Sequence, residues 1–155
     1  MGKLTGRLRM MGFDSQFFNG SDDTDMVRQA LAEKRVILTR DRGIMLRRVV
    51  KNGRLRVILI FSEVPEEQMV QVMETLDLAE SIKPFTRCLE CNEILIEQSK
   101  EEVKDRVPPY VFRTQEQYME CPACHRIYWR GTHWEAMLDR LQRLLGNKAE
   151  YLKEV

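Results

Sequence analysis

Two identical knuckles, Cys88-Leu89-Glu90-Cys91 and Cys121-Pro122-Ala123-Cys124, constrain this chain more than any other feature. A C-x-x-C turn can present two thiolates to one cation, and two such turns close a tetrahedral sulfur shell of the kind zinc takes. All four cysteines of the chain are used, which leaves no coordination position for water. The expected zinc is therefore structural, with an apparent contribution to folding of about 10 kcal/mol. The alternative is a set of redox or simply buried thiols, but redox C-x-x-C motifs come singly. His125, directly after Cys124, reads as a surface residue or a neighbour of the shell. His133 reads as a packing or capping residue at the start of the last helix.

The remaining composition describes a folded chain. Among 155 residues, 43% are hydrophobic and 32% charged, too apolar for low-complexity disorder. The longest apolar run, Val57 to Phe61, is far too short to span a membrane. The opening Met1-Gly2-Lys3-Leu4-Thr5-Gly6-Arg7 has no apolar stretch like that of a signal peptide, so a cytoplasmic location is expected. No motif for a small-molecule cofactor is evident.

The near-neutral net charge hides a partition. Residues 1–60 hold 13 Lys/Arg against 6 Asp/Glu, a net of +7, and residues 61–155 hold 12 against 18, a net of −6. The densest basic stretch is Arg40, Arg42, Arg47, Arg48, Lys51, Arg54 and Arg56, opposed only by Asp41. A polyanion such as RNA or DNA would be drawn to that half, because each neutralised phosphate releases counterions. The other reading is a solvated helix face and a charged edge strand.

Periodicity organises the first half as α/β. Leu4, Leu8 and Met11 recur at helical spacing until Gly12. Ser21 to Asp25 supplies capping residues and acids for a second helix, with Asp23 an excellent N-cap. Val36 to Thr39 reads as a buried strand, Gly43 to Val50 as a helix, and Leu55 to Phe61 as a strand of a parallel sheet. Pro65 opens another helix as its first residue. The order helix–helix–strand–helix–strand–helix predicts an α/β layer. Composition changes near Pro84, which places a boundary between a domain over 1–84 and a second over 85–155. The second unit carries short β segments at Ile94–Ile96 and Arg126–Arg130. Capping boxes are expected at Ser99/Glu102 and Thr132/Glu135, and a final helix is expected to end at Gly146.

A second chemical signal is acidic. Asp41 follows Thr39 at the C-terminal end of a parallel strand, the edge where open α/β sheets bind ligands. It can hold Mg²⁺ or Mn²⁺, which take only one or two protein carboxylates, and Asp23 is a possible second ligand. Such acids gather the cations used in phosphodiester hydrolysis. Both acids can equally be helix caps.

Taken together, several motifs carry a resemblance: Gly12-Phe13-Asp14, Arg35 through Arg42, Phe85 through Asn92, Asp105 through Val111, the second knuckle, and Tyr128-Trp129-Arg130-Gly131-Thr132-His133-Trp134. Over about residues 1–140 the chain resembles the Mut-seven C-terminal RNase domain family, a PIN-like nuclease fold fused to a zinc ribbon. The resemblance implies a three-layer parallel α/β/α domain, a ribbon and divalent-metal-dependent ribonuclease activity. Asp41 with Thr39 matches the acid after the last core strand, and Asp23 the acid opening the preceding helix. Arg40 and Arg42, with Arg47 and Arg48 in the same basic stretch, would hold RNA phosphates. Family members open with an apolar strand ending in Asp, ahead of the helix that begins here at Gly2-Lys3-Leu4. This sequence lacks both. The expectation is thus either truncation upstream of Met1 or a lost nuclease site. The competing reading is a non-catalytic RNA- or partner-binding module in which Tyr128, Trp129 and Trp134 stack on bases.

Overall fold

A computed structural model describes residues 2–146. Helix α1 (Gly2–Met10) ends as expected at Gly12, whose φ of 90° only glycine adopts freely. A Cβ there would also lie 2.1 Å from the Lys83 carbonyl oxygen, so the chain passes too closely for any side chain. Helix α2 (Asp23–Glu33) follows, then β1 (Ile37–Thr39), a 3₁₀ turn (Arg42–Leu46), α3 (Arg48–Lys51), β2 (Val57–Leu59) and α4 (Pro65–Leu76). Pro65 occupies the first helical position.

Strands β1 and β2 pair in parallel, Ile37 opposite Val57, Leu38 opposite Ile58 and Thr39 opposite Leu59. Helices cover both faces. Ile37 and Val57 pack with Val27 and Ala30 of α2, and with Val49 and Val50. Leu38 and Ile58, one residue on, turn to the opposite face and pack with Leu4, Leu8, Met69, Val72 and Met73. This parallel pair with flanking helices is the α/β arrangement that the element order predicts. Among the described residues the parallel sheet has two strands.

Three local expectations need correction. The helix read over Gly43–Val50 is broken at Arg47, which is extended (φ −65°, ψ 141°). Ile44 is buried at one site while Val49 and Val50 fill the α2-facing core. Five α-helical residues rotate the chain by about 500°, so one straight helix cannot aim both inward. The cap of α2 is Asp22, whose Oδ1 accepts the Thr24 N–H at 2.7 Å, and Asp23 is the first helical residue. The Thr132/Glu135 box does not form. Gly131 takes the N-cap position with no side-chain cap, because the helix starts one residue early to seat Trp134 against Phe85, ring centroids 4.5 Å apart.

The remaining elements are a 3₁₀ turn (Ala79–Ser81), β3 (Ile96–Gln98), α5 (Lys100–Val103), α6 (Pro109–Thr114), β4 (Tyr118–Glu120), β5 (Ile127–Tyr128) and α7 (Thr132–Leu145). Strands β3, β4 and β5 form an antiparallel sheet in that order. The Ser99/Glu102 box is complete, with Ser99 Oγ accepting the Glu102 N–H and Glu102 accepting from Ser99 in return. Gly146 closes α7 with a φ of 58°. No helix among the described residues is long and apolar enough to cross a membrane.

Helix α7 follows the ribbon in sequence but packs with α1 and α4, burying Trp134, Met137, Leu141 and Leu145 in their core. One carboxylate ties these three helices together. Glu66 of α4 accepts from Arg7 of α1 at 2.7 Å and faces Arg140 of α7 at 3.5 Å, with only 11% of its side chain exposed. Burial pushes its pKa up, but its own backbone N–H and Arg7 more than offset this and hold it below the usual value. A lowered carboxylate pKa stabilises the fold above the unfolded-chain value, about 4.3, and that stability is lost as the pH falls through the folded value. Thermal melts of wild type and Glu66→Gln are therefore expected to differ at pH 7, with the difference shrinking as the pH is lowered into the acid range. A difference that stayed constant as the pH fell would contradict this.

Candidate metal centre and nucleic-acid interface

Each knuckle is built by the same backbone bonds. The Cys88 N–H donates to the Glu93 carbonyl (2.8 Å), Asn92 N–H to the Cys88 carbonyl (3.0 Å) and Cys91 N–H to the Cys88 sulfur (3.4 Å). In the second knuckle Cys121 donates to Arg126 (3.0 Å), His125 to Cys121 (2.9 Å) and Cys124 to the Cys121 sulfur (3.5 Å). Both turns close on a left-handed residue, Asn92 (φ 64°) and His125 (φ 60°). Asparagine tolerates that conformation well. His125 thus serves the turn through its backbone, while its Nδ1 lies 3.2 Å from Glu120.

All four sulfurs lie within 4.8 Å of one another, and Cys88 Sγ is 3.7 Å from Cys124 Sγ. A tetrahedron with Zn–S bonds of about 2.3 Å has edges of about 3.8 Å, so the donor set fits zinc. Cys88 and Cys121 are fully buried, and Cys91 and Cys124 lie toward the surface. Burial opposes ionisation of Cys88, but the Tyr128 hydroxyl 3.1 Å from its sulfur and the Cys91 N–H outweigh it and bring the thiol to about 7. The Leu89 N–H occupies the Tyr128 oxygen at 3.2 Å, which leaves the phenol proton for Cys88. Cys91 goes the other way, to about 12, chiefly through the neighbouring Cys124 sulfur. Thiols this crowded ionise together only around a cation.

The acidic candidates sit at the other end of the molecule's chemistry. Asp41 follows β1 as expected, but its Oδ1 accepts the Gly43 N–H at 2.7 Å and caps the 3₁₀ turn. Its own N–H donates to Thr39 Oγ1 at 3.0 Å. Asp23 and Thr39 line a cleft of about 940 Å³ beside β1, together with Asp14 and Glu33. The latter two are committed to Arg35, which pairs with Asp14 at 2.8 Å and also with Glu33. Among the described residues neither the Asp23 carboxylate nor Asp41 Oδ2 has a hydrogen bond or ion pair. Apart from the four cysteines, no three Cys, His, Asp or Glu residues converge as ligands among the described residues.

Of the basic candidates, Arg40 pairs with Glu63 at 2.7 Å while keeping 47% of its side chain exposed. Arg42 and Arg48 are exposed. Arg47 reaches Thr24 Oγ1 at 3.3 Å, which brings the start of α2, and with it Asp23, against the basic segment. In the sequence Asp14 has no role beyond its place in the Gly12-Phe13-Asp14 motif. It ties the two halves together, accepting from Arg35 and from Asn92 Nδ2 at 2.7 Å, and this long-range pairing leaves no local signal.

No curated protein and no solved structure matches the chain. The family model described as Mut7-C RNAse domain matches residues 1–141, a span that takes in the parallel pair, both knuckles and most of α7. With a sulfur quartet of zinc dimensions inside that span, the chain belongs to the Mut7-C RNase domain family.

Proposed function

We propose that this chain is a divalent-metal-dependent ribonuclease domain of PIN-like type, acting on single-stranded RNA and carrying a structural zinc ribbon. The observation that carries this reading is the meeting, at the C-terminal end of β1, of Asp41 and an arginine-rich segment with the start of α2. The Arg47–Thr24 contact makes that junction. Ligand sites of open parallel sheets form at such an edge. Asp41 Oδ2 and the Asp23 carboxylate would hold Mg²⁺ or Mn²⁺, whose hard oxygen preference they match. Such a cation supplies Lewis-acid activation of the scissile phosphodiester. Arg40, Arg42, Arg47 and Arg48 hold the RNA phosphates, and the Gly43 N–H keeps Asp41 oriented. The cysteines take no part, because zinc claims them all.

A non-catalytic RNA-binding module is the second reading. It is favoured by the commitment of Asp41 Oδ1 to a backbone cap and by the two-stranded parallel sheet. A cleavage assay on end-labelled single-stranded RNA with Mg²⁺ or Mn²⁺ separates the two. Under the ribonuclease reading, Asp41→Asn lowers the rate by at least about 100-fold while zinc content is unchanged. Retained RNA binding with no cleavage by the wild type would establish the module instead.

A further inference from the structure

Where the ribbon meets the α/β half, polar ties hold the two surfaces beside each other without filling the space between. Arg9 donates to the Leu89 and Glu90 carbonyls at 2.6 and 3.0 Å, and Arg87 to the Asn92 and Gly12 carbonyls at 2.8 and 3.4 Å. Next to these ties lies a cavity of about 250 Å³ whose walls include Phe85, Tyr128, Trp129 and Trp134. Arg87 and His133 add polar groups to the wall, and the Arg130 guanidinium sits 5.2 Å over the ring of Phe85, one of the lining residues. Among the described residues no Asp or Glu lines it.

We propose that this cavity takes one nucleobase of a single-stranded RNA, a subsite of the RNA-binding reading above and dependent on it. Three features select that occupant. The volume falls below the roughly 300–1,000 Å³ of pockets for drug-sized ligands, which suits one ring system and not a longer chain. Four of the lining side chains are aromatic rings of the kind on which any base can stack, and Met10, Leu89, Leu95 and Ile127 complete an apolar wall. The charged side chains at the wall, Arg87 and the nearby Arg130, are cationic and match the phosphates that flank a base. Tyr128 couples this wall to the metal site, since its hydroxyl is held by Cys88 and Leu89. Zinc therefore fixes the orientation of a ring that faces the base.

The chain's two tryptophans, Trp129 and Trp134, both line the cavity, so intrinsic emission reports on it directly. The zinc-loaded chain of 155 residues is titrated with a fluorescein-labelled RNA hexamer without Mg²⁺ or Mn²⁺, reading anisotropy and, with unlabelled hexamer, tryptophan emission. Binding accompanied by quenching is expected. Trp129→Ala is expected to weaken binding about 5- to 150-fold, the range for losing one stacked base, and Trp129→Phe to retain most of it. Quenching in the wild type tests the site even if the alanine variant folds poorly. Hexamer binding with unchanged emission and unchanged affinity in Trp129→Ala would overturn the base site and leave the RNA-binding reading standing. Absence of any hexamer binding would overturn both. Quenching by an apolar peptide and not by the hexamer would assign the cavity to a protein partner, again overturning the proposal.

Discussion

Replacing Cys121 with serine is expected to abolish zinc binding and unfold the ribbon, the largest single effect available in this chain. Its sulfur is fully buried and belongs to the quartet whose members lie within 4.8 Å of one another. Around it the apolar support is thin: Cys88, Leu95 and Cys121 are the buried residues of that cluster, with Met119 and Tyr128 partly buried against them. A second cluster of Val103, Val107 and Tyr118 supports the strands away from the knuckles. The small sulfur-side cluster cannot by itself offset the entropy of ordering the two knuckles, whereas structural zinc contributes about 10–16 kcal/mol apparent in small domains. Zinc content measured by chromophoric chelator release should fall from one per chain to none. Tryptophan emission should shift toward that of the unfolded chain, because Tyr128 and Trp129 lose their scaffold. A variant that kept its melting profile without zinc would refute the structural role of the site.

The second large effect is expected from Leu141→Ala. Leu141 is completely buried in the core shared by α1, α4 and α7, beside Met137 and Leu145 of its own helix. Truncating a buried leucine costs about 2–5 kcal/mol, from lost transfer energy and the cavity left behind. For a chain of this size that corresponds to a fall in melting midpoint of roughly 5–15 °C. Zinc content should be unaffected if the ribbon keeps its own fold. A loss of zinc along with the melting midpoint would mean that α7 and the knuckles unfold as one unit.

Some of the molecule was legible residue by residue. The Ser99/Glu102 box, Pro65 at a helix start, Gly12 and Gly146 at helix ends all act through bonds or dihedral freedom within a few residues of themselves. Spacing alone therefore identifies them. The choice between Asp22 and Asp23 as cap was not legible in that way, because both residues have the required chemistry and the packing of Val27 and Ala30 sets the helical register. The break at Arg47 had no local signal either. It arises from the need to bury Ile44 in one place and Val49 and Val50 in another.

The candidate sites divide along the same line. The sulfur quartet was readable because each knuckle is a four-residue object, and pairing two of them requires only that the chain return. The state of Asp41 was not, since a strand-end carboxylate can face a ligand or cap its own turn with the same sequence around it. The structure commits one oxygen to the Gly43 N–H.

By itself the amino-acid order determined the parallel strand pair with its flanking helices, the two cysteine knuckles and the family, because these depend on short periodicities and on thiol chemistry. Only the tertiary structure decided that α7, which follows both knuckles in sequence, returns to complete the core of α1 and α4. It also decided that Glu66 bridges three helices and that an aromatic cavity remains at the junction. Those features rest on contacts between residues dozens of positions apart, whose energies come from burial and pairing in three dimensions and leave no periodic trace along the chain.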